Sequence, residues 1–266
     1  MSAKRYAKSP PPSPRQPRLP WGDILDVLTL LTWSLMLFRY WITGKLLVLL
    51  HPDYAWLSHS AAVVLLLLGL FKLTQIILNL KQAPGGGRST PGHVTLLPPK
   101  FSSFVLLTVA VFGLIYTPRA FASETAIQRG IADTLTLTRS QPQRFVRQTS
   151  PDERTIIDWV RTLNVYPEPD AYTDQPIKVQ GFVIHPENWP DDYLMISRFV
   201  LTCCAADAYP VGLPVKLAVS RQAYLVDGWL EITGKAATDT LDGLRQLIII
   251  PDELEPIPEP RNPYEY

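Results

Sequence analysis

Cys203 and Cys204 are the only cysteines in the chain, and they stand side by side in Arg198–Pro214, RFVLTCCAADAYPVGLP. Adjacent cysteines cannot build the framework of a small disulfide-stapled domain, and no CxxC is present to support thioredoxin-like exchange. Thiolates do select soft ions such as Cu(I), Zn(II) or trivalent arsenic. Neighbouring side chains on a regular strand point to opposite faces, so two sulfurs can meet one ion only where the strand ends. The small-residue run Ala205-Ala206-Asp207-Ala208, after the apolar Phe199-Val200-Leu201, supplies such an end. The further ligands open to this site are Asp207, close in sequence, and His185, from the end of a neighbouring strand. Two other fates stay open for the pair. One thiol can be buried as a small apolar side chain, or the two can form a vicinal disulfide outside the cytoplasm.

Arg39 and Lys72 are charges inside apolar runs. A charge at the centre of a bilayer costs about 3 kcal/mol, which calls for a partner such as an acid on another subunit or an anionic substrate. The alternative is a span whose ends let the side chain reach the interface. His51, His59, His93 and His185 are scattered; His51 and His59 flank a short polar break and read as polar interface residues. No G-x-x-x-x-G-K-[ST], G-x-S-x-G or H-E-x-x-H occurs, and no acid–base pair can be assigned. The expectation is a protein that is not an enzyme, and no cofactor is assigned.

These residues sit on two unlike halves. Residues 1–20 form a Pro-rich basic arm, expected to be disordered. Residues 21–121 hold three apolar runs, at about 24–50, 57–80 and 101–119, where about 20 residues suffice to span. If the first run ends near Tyr40 instead, Arg39 can snorkel outward. Basic residues without acids in the arm and in the Gly-rich loop around Arg88 place both in the cytoplasm. Three spans then put everything after them outside, with 122–149 as a connector. Ser150-Pro151-Asp152-Glu153 reads as a helix start, with Ser150 as cap and Glu153 closing a capping box. The helix runs to about Leu163.

Five strand candidates follow: Ile177–Ile184, Tyr193–Cys203, Pro214–Ser220, Trp229–Ala236 and Leu244–Ile250. Five short strands in a stretch this compact, punctuated by glycine, point to a small OB-like β-barrel over 150–250. The fold class is α+β: two or three N-terminal transmembrane helices, then the barrel with one preceding helix. Residues 251–266, acidic and proline-rich, are expected to extend away from it. The net charge of +1 offers no field for nucleic acid.

The hairpin with Gly44-Lys45 and His51-Pro52, the segment Gln128-Arg129-Gly130, Gly181-Phe182-Val183, the string Cys203-Cys204-Ala205-Ala206-Asp207-Ala208, and Trp229 with Gly234 together resemble the YcgQ-like family of permease subunits. The likeness covers about Trp21 to Pro251, and the Cys-Cys-Ala-Ala-Asp-Ala string is its most specific part. It implies an accessory subunit working in the membrane beside a larger polytopic permease of the YcgR/YraQ type. It brings no catalytic residues and no established substrate.

Overall fold

The computed structural model of the protein describes residues 21–81, 99–130 and 150–266. The basic arm, the Gly-rich loop and most of the connector expected from the sequence, and His93, lie outside the described residues. Contacts gather into two compact units. One takes in the chain up to Phe38 together with Ser60–Tyr116; the other joins Arg39–His59 to Thr117–Tyr266.

The helices are α1 (Trp21–Ile42), α2 (Ala55–Lys81) and α3 (Pro99–Ile115); the first unit holds α3 and all of α1 and α2 except the turns that fall within Arg39–His59. Trp21–Ile42 and Pro52–Asn79 are long and apolar enough to cross a membrane, and Phe101–Ile115 is a shorter apolar helix. The first expected span does not run on to Leu50. α1 ends at Ile42, Gly44 takes the left-handed φ of 72°, and Lys45–Val48 form a 3-10 turn. Arg39 therefore lies in the last turn of α1. The three helices pack through close approach of small residues and through interhelical hydrogen bonds. Ala62 and Ala110 are fully buried. Ser34 Oγ donates to the Ala62 carbonyl at 2.9 Å, and Trp33 Nε1 to the Leu106 carbonyl at 3.0 Å. The Lys72 ammonium donates to Asp26 Oδ2 and stands 3.7 Å from Asp23, while Ser103 Oγ donates to Asp26 Oδ1 at 2.5 Å. Residues from all three helices thus meet in a single polar knot.

The second unit contains a closed five-stranded barrel, the OB-like architecture expected from the sequence. Its strands are β1 (Pro176–Ile184), β2 (Tyr193–Val200), β3 (Tyr209–Lys216), β4 (Trp229–Leu241) and β5 (Leu244–Ile257). They run in the order β1-β4-β5-β3-β2, and β2 returns to β1 to close the ring. Pairing is antiparallel except where β5 meets β3 at Val215 and Ile249. Alternation sorts side chains onto two faces, and both are buried along β2, β3 and the end of β1. Inward, Val183, Ile196, Leu213, Val215, Ile232 and Ile249 form the barrel core. Outward, Phe182, Ile184, Met195 and Phe199 are covered by Val48, Phe121, Ala126 and Tyr264. At Gly234, where β4 is bulged against β5, a Cβ would stand 2.2 Å from the Ile250 carbonyl oxygen; only glycine allows that approach.

Before the barrel, α4 (Ser123–Gln128) and α5 (Ile156–Val165) complete the helices. The capping expected at Ser150 and Glu153 falls elsewhere. Pro151–Glu153 is a 3-10 turn, Arg154 is extended, and Thr155 caps α5 in a reciprocal box with Asp158. The sequence offers two Ser/Thr-x-x-acid starts in a row, and burial selects the second. Only that start puts Ile156, Trp159 and Val160 into the core together.

The acidic tail does not extend away. β5 carries on to Ile257, and Tyr264–Glu265 return as β6, parallel to β2 at Phe199 and Val200. β1 pairs β2 only over Phe182–Ile184, so the later part of β2 has a free edge that β6 fills. Glu265 is buried, accepts from the Ile157 N–H at 2.7 Å, and faces Arg198 at 3.8 Å. Arg198 also donates to the Asn262 carbonyl at 2.8 Å and lies over the Trp229 ring. Burial pushes the Glu265 carboxyl up and the Arg198 guanidinium down from their ordinary values.

Two outcomes follow from these buried charges. Glu265→Ala, which leaves Arg198 without its counter-charge, should lower stability to chemical denaturation by about 3 kcal/mol; Glu265→Gln, which keeps an acceptor for Ile157, should lose less. In the helical unit, Lys72→Met and Asp26→Asn should each lower the thermal midpoint of the detergent-solubilised chain. The double variant should lose less than the two effects added, with a coupling of about 1 kcal/mol.

Candidate functional site

The cysteine turn begins where β2 stops at Val200. Ala205–Asp207 then make a single 3-10 turn before β3 starts at Tyr209. Asp207 folds back over the turn it ends. Its Oδ2 accepts from the Thr202 hydroxyl and from the Cys203 N–H at 3.0 Å, and its Oδ1 from the Cys204 N–H at 3.1 Å. An Asp three or four residues after the N–H groups it faces is suited to this, because its short carboxylate can satisfy several of them at once.

The other wall comes from the segment between α1 and α2. Leu50 and Cys204 form an antiparallel bridge. The His51 N–H donates to the Cys203 carbonyl at 3.1 Å, and the Ala205 N–H donates to the Leu49 carbonyl at 2.9 Å. His51 packs edge-on against Tyr266 with centroids 4.6 Å apart, and its Nδ1 accepts from the Asp53 N–H. His59 stacks on Trp41 at 4.1 Å. On the far side, the Arg129 guanidinium donates to the Ala208 carbonyl and lies over the Phe121 ring.

Both cysteines are free; Cys203 is exposed and Cys204 half-buried, so neither thiol is packed into the barrel core. Their sulfurs stand 3.7 Å apart. The Cys203 thiol is pushed up to about 11 by its hydrogen bond with Cys204 first and by the Asp207 carboxylate second. For Asp207 burial alone would raise the carboxyl, but the hydrogen bonds from Thr202, Cys204 and Cys203 outweigh it and hold it below its ordinary value.

Of the residues singled out in the sequence, Cys203, Cys204 and Asp207 converge, with one ligand atom from each inside a 4.8 Å span. His185 does not join them. It follows β1 beside Arg221, Asp191 and Tyr224, where burial first and the Arg221 charge second lower its pKa, and its Nε2 is buried without a hydrogen-bond partner. Lys72 has its acids within the chain, at Asp26 and Asp23, rather than on another subunit. Sequence reading missed Asp26 as that partner, although an acid and a base in two neighbouring apolar runs was a usable sign. It also missed Leu49–His51 as the wall of the cysteine turn, for which no local signal exists.

Residues 25–132 match the family model of the DUF1980 N-terminal domain, and residues 152–266 that of the DUF1980 C-terminal domain. The chain carries both DUF1980 domains. No curated protein and no solved structure matches it. The division places the cysteine turn in the DUF1980 C-terminal domain and Leu49–His51 in the N-terminal one, so the two domains are hydrogen-bonded to each other at the cysteines. The C-terminal match also takes in β6, in keeping with a tail that is part of the folded domain.

The raised Cys203 thiol sets a pH dependence. Its alkylation by iodoacetamide, resolved by peptide mass spectrometry, should keep climbing about tenfold per pH unit past pH 9, where an ordinary thiol levels off. Asp207→Asn removes one of the two main causes and should bring the plateau to lower pH.

Proposed function

We propose that this chain is a membrane-anchored accessory subunit of a permease and performs no catalysis of its own. α1, α2 and α3 anchor it with the N-terminus in the cytoplasm. The β domain lies on the extracytoplasmic side, where it docks on or gates a larger polytopic partner of the YcgR/YraQ type. The Cys203-Cys204 turn is where a metal or metalloid substrate meets it.

The observation that carries this reading is the clasp between Leu49–His51 and Cys203–Ala205. The segment joining the two long apolar helices is itself one edge of the candidate site, so a load on the turn bears directly on that segment. Three helices are too few to enclose a conduction path, which is the physical reason for a partner. Basic residues without acids in the arm and the middle loop support the orientation, and both DUF1980 domains accord with the YcgQ-like resemblance. A second reading, a membrane-tethered thiol switch, draws on the free, accessible sulfurs 3.7 Å apart. It requires a reversible Cys203–Cys204 disulfide detectable in native membranes.

Tagged full-length chain, solubilised in mild detergent, should retain the co-expressed permease, and a membrane-impermeant maleimide should label Cys203 in intact cells. Absence of the permease from the purified material would sink the accessory reading, and labelling only after lysis would reverse the orientation.

A further inference from the structure

We propose that Cys203 and Cys204 form an open two-thiolate site for a thiophilic d10 metal ion, in which Asp207 holds the turn rather than ligating and the remaining coordination positions are filled from outside this chain. The inference rests on the reading that this turn meets the substrate, and it narrows the ligand set and the chemistry.

Geometry comes first. An ion bound tetrahedrally by two thiolates at about 2.3 Å holds their sulfurs roughly 3.8 Å apart. The two sulfurs already stand at 3.7 Å. Four contacts fix the backbone that presents them. The Cys203 and Cys204 N–H groups donate to Asp207, the Cys203 carbonyl accepts from His51, and the Ala205 N–H donates to Leu49. An ion can therefore enter from the exposed Cys203 side without the turn refolding.

Asp207 is already committed. Its carboxylate takes three donors, from Thr202, Cys203 and Cys204. Swinging it onto a metal would strip the N–H groups of the two residues that carry the sulfurs. Its role is that of the outer partners that orient metal ligands elsewhere. His185 is tied to a different part of the barrel end, and among the described residues no other Cys, His, Asp or Glu joins the cluster.

Two ligands make a site of a particular kind. Structural zinc sites close the shell with four protein ligands, whereas sites that act on a bound species keep positions open. An exposed dithiolate with open positions lets an incoming donor or acceptor add ligands before the cysteines let go, which suits hand-over of an ion rather than storage. Loading a divalent ion exchanges two S–H bonds for two metal–sulfur bonds and releases two protons; no electron is transferred.

The test is a Cd(II) titration of the full-length reduced chain in detergent, without oxygen, read by the thiolate-to-cadmium absorption that counts bound sulfurs. We expect one Cd(II) per chain with the absorption of two thiolates. Half that absorption should remain in Cys203→Ser and none in Cys203→Ser/Cys204→Ser. Asp207→Asn should keep the two-thiolate spectrum with affinity lower by about tenfold, and His185→Ala should change nothing. Each variant's thermal midpoint without metal controls for folding, and Cys203→Ser, at an exposed position, keeps the test decisive if the double variant does not fold. No stoichiometric Cd(II) in the unaltered chain overturns the site, as does a spectrum that survives both serines. Binding lost in His185→Ala or in Asp207→Asn at unchanged midpoint would overturn the two-ligand assignment. Permease co-purification is measured on the same material. Cd(II) binding without the permease counts against the accessory reading alone, and co-purification without Cd(II) binding counts against the site alone.

Discussion

From the Cys203 N–H to the Ala205 N–H, each backbone group finds its partner outside a regular sheet, and the geometry of the candidate site depends on that. Asp207 takes the N–H groups of Cys203 and Cys204; the Asp207 N–H returns to the Cys204 carbonyl at 3.1 Å; His51 and Leu49 take the Cys203 carbonyl and the Ala205 N–H. A strand that ends at the surface would otherwise leave these groups to water. Each such bond contributes only about 1 kcal/mol net, but together they hold one short turn from two sides. The Cys204 sulfur shares in this, accepting from the Asp207 N–H, while the Cys203 sulfur stands exposed beside it at 3.7 Å.

The clasp also explains why residues between the two long helices belong with the barrel. Leu46 and Val48 are buried, and Val48 joins Phe182, Phe199 and Tyr264 in the cluster on the barrel's outer face. A barrel whose strands were apolar on both faces would expose the outer set. Here the segment before α2, the segment around Phe121 and Ala126, and the returning tail cover it. The β domain is thus completed by pieces from both DUF1980 domains.

Charges are handled by one rule in both units. A buried or lipid-facing charge is costly alone and tolerable when paired and hydrogen-bonded. Lys72 meets Asp26 and Asp23, with Ser103 filling Asp26's other oxygen. Arg198 meets Glu265, whose carboxylate also caps α5 through Ile157. In each case the partner is distant in sequence. Lys72 looked like a charge in need of another subunit, and Glu265 like part of a solvated tail, until the fold brought their partners to them.

What the sequence by itself determined was local in origin. Apolar runs of spanning length, strand-length alternation broken by glycines, and a small-residue turn after Cys204 are each set by neighbouring residues, and the helices, the five-stranded barrel and the turn all formed. Asp207 was legible beside the cysteines because the groups it meets lie three to five residues away. What only the tertiary structure decided depended on contacts between distant segments. Which of two capping boxes starts α5 was settled by the fit of Ile156 and Trp159 into the core. The end of α1 at Ile42 let Lys45–Val48 fold onto the barrel, and the tail returned because β2 had an unpaired edge beyond Ser197. His185 was lost as a ligand for the same reason: strand ends that look adjacent on paper are placed by sheet order and register, which no short stretch of residues encodes.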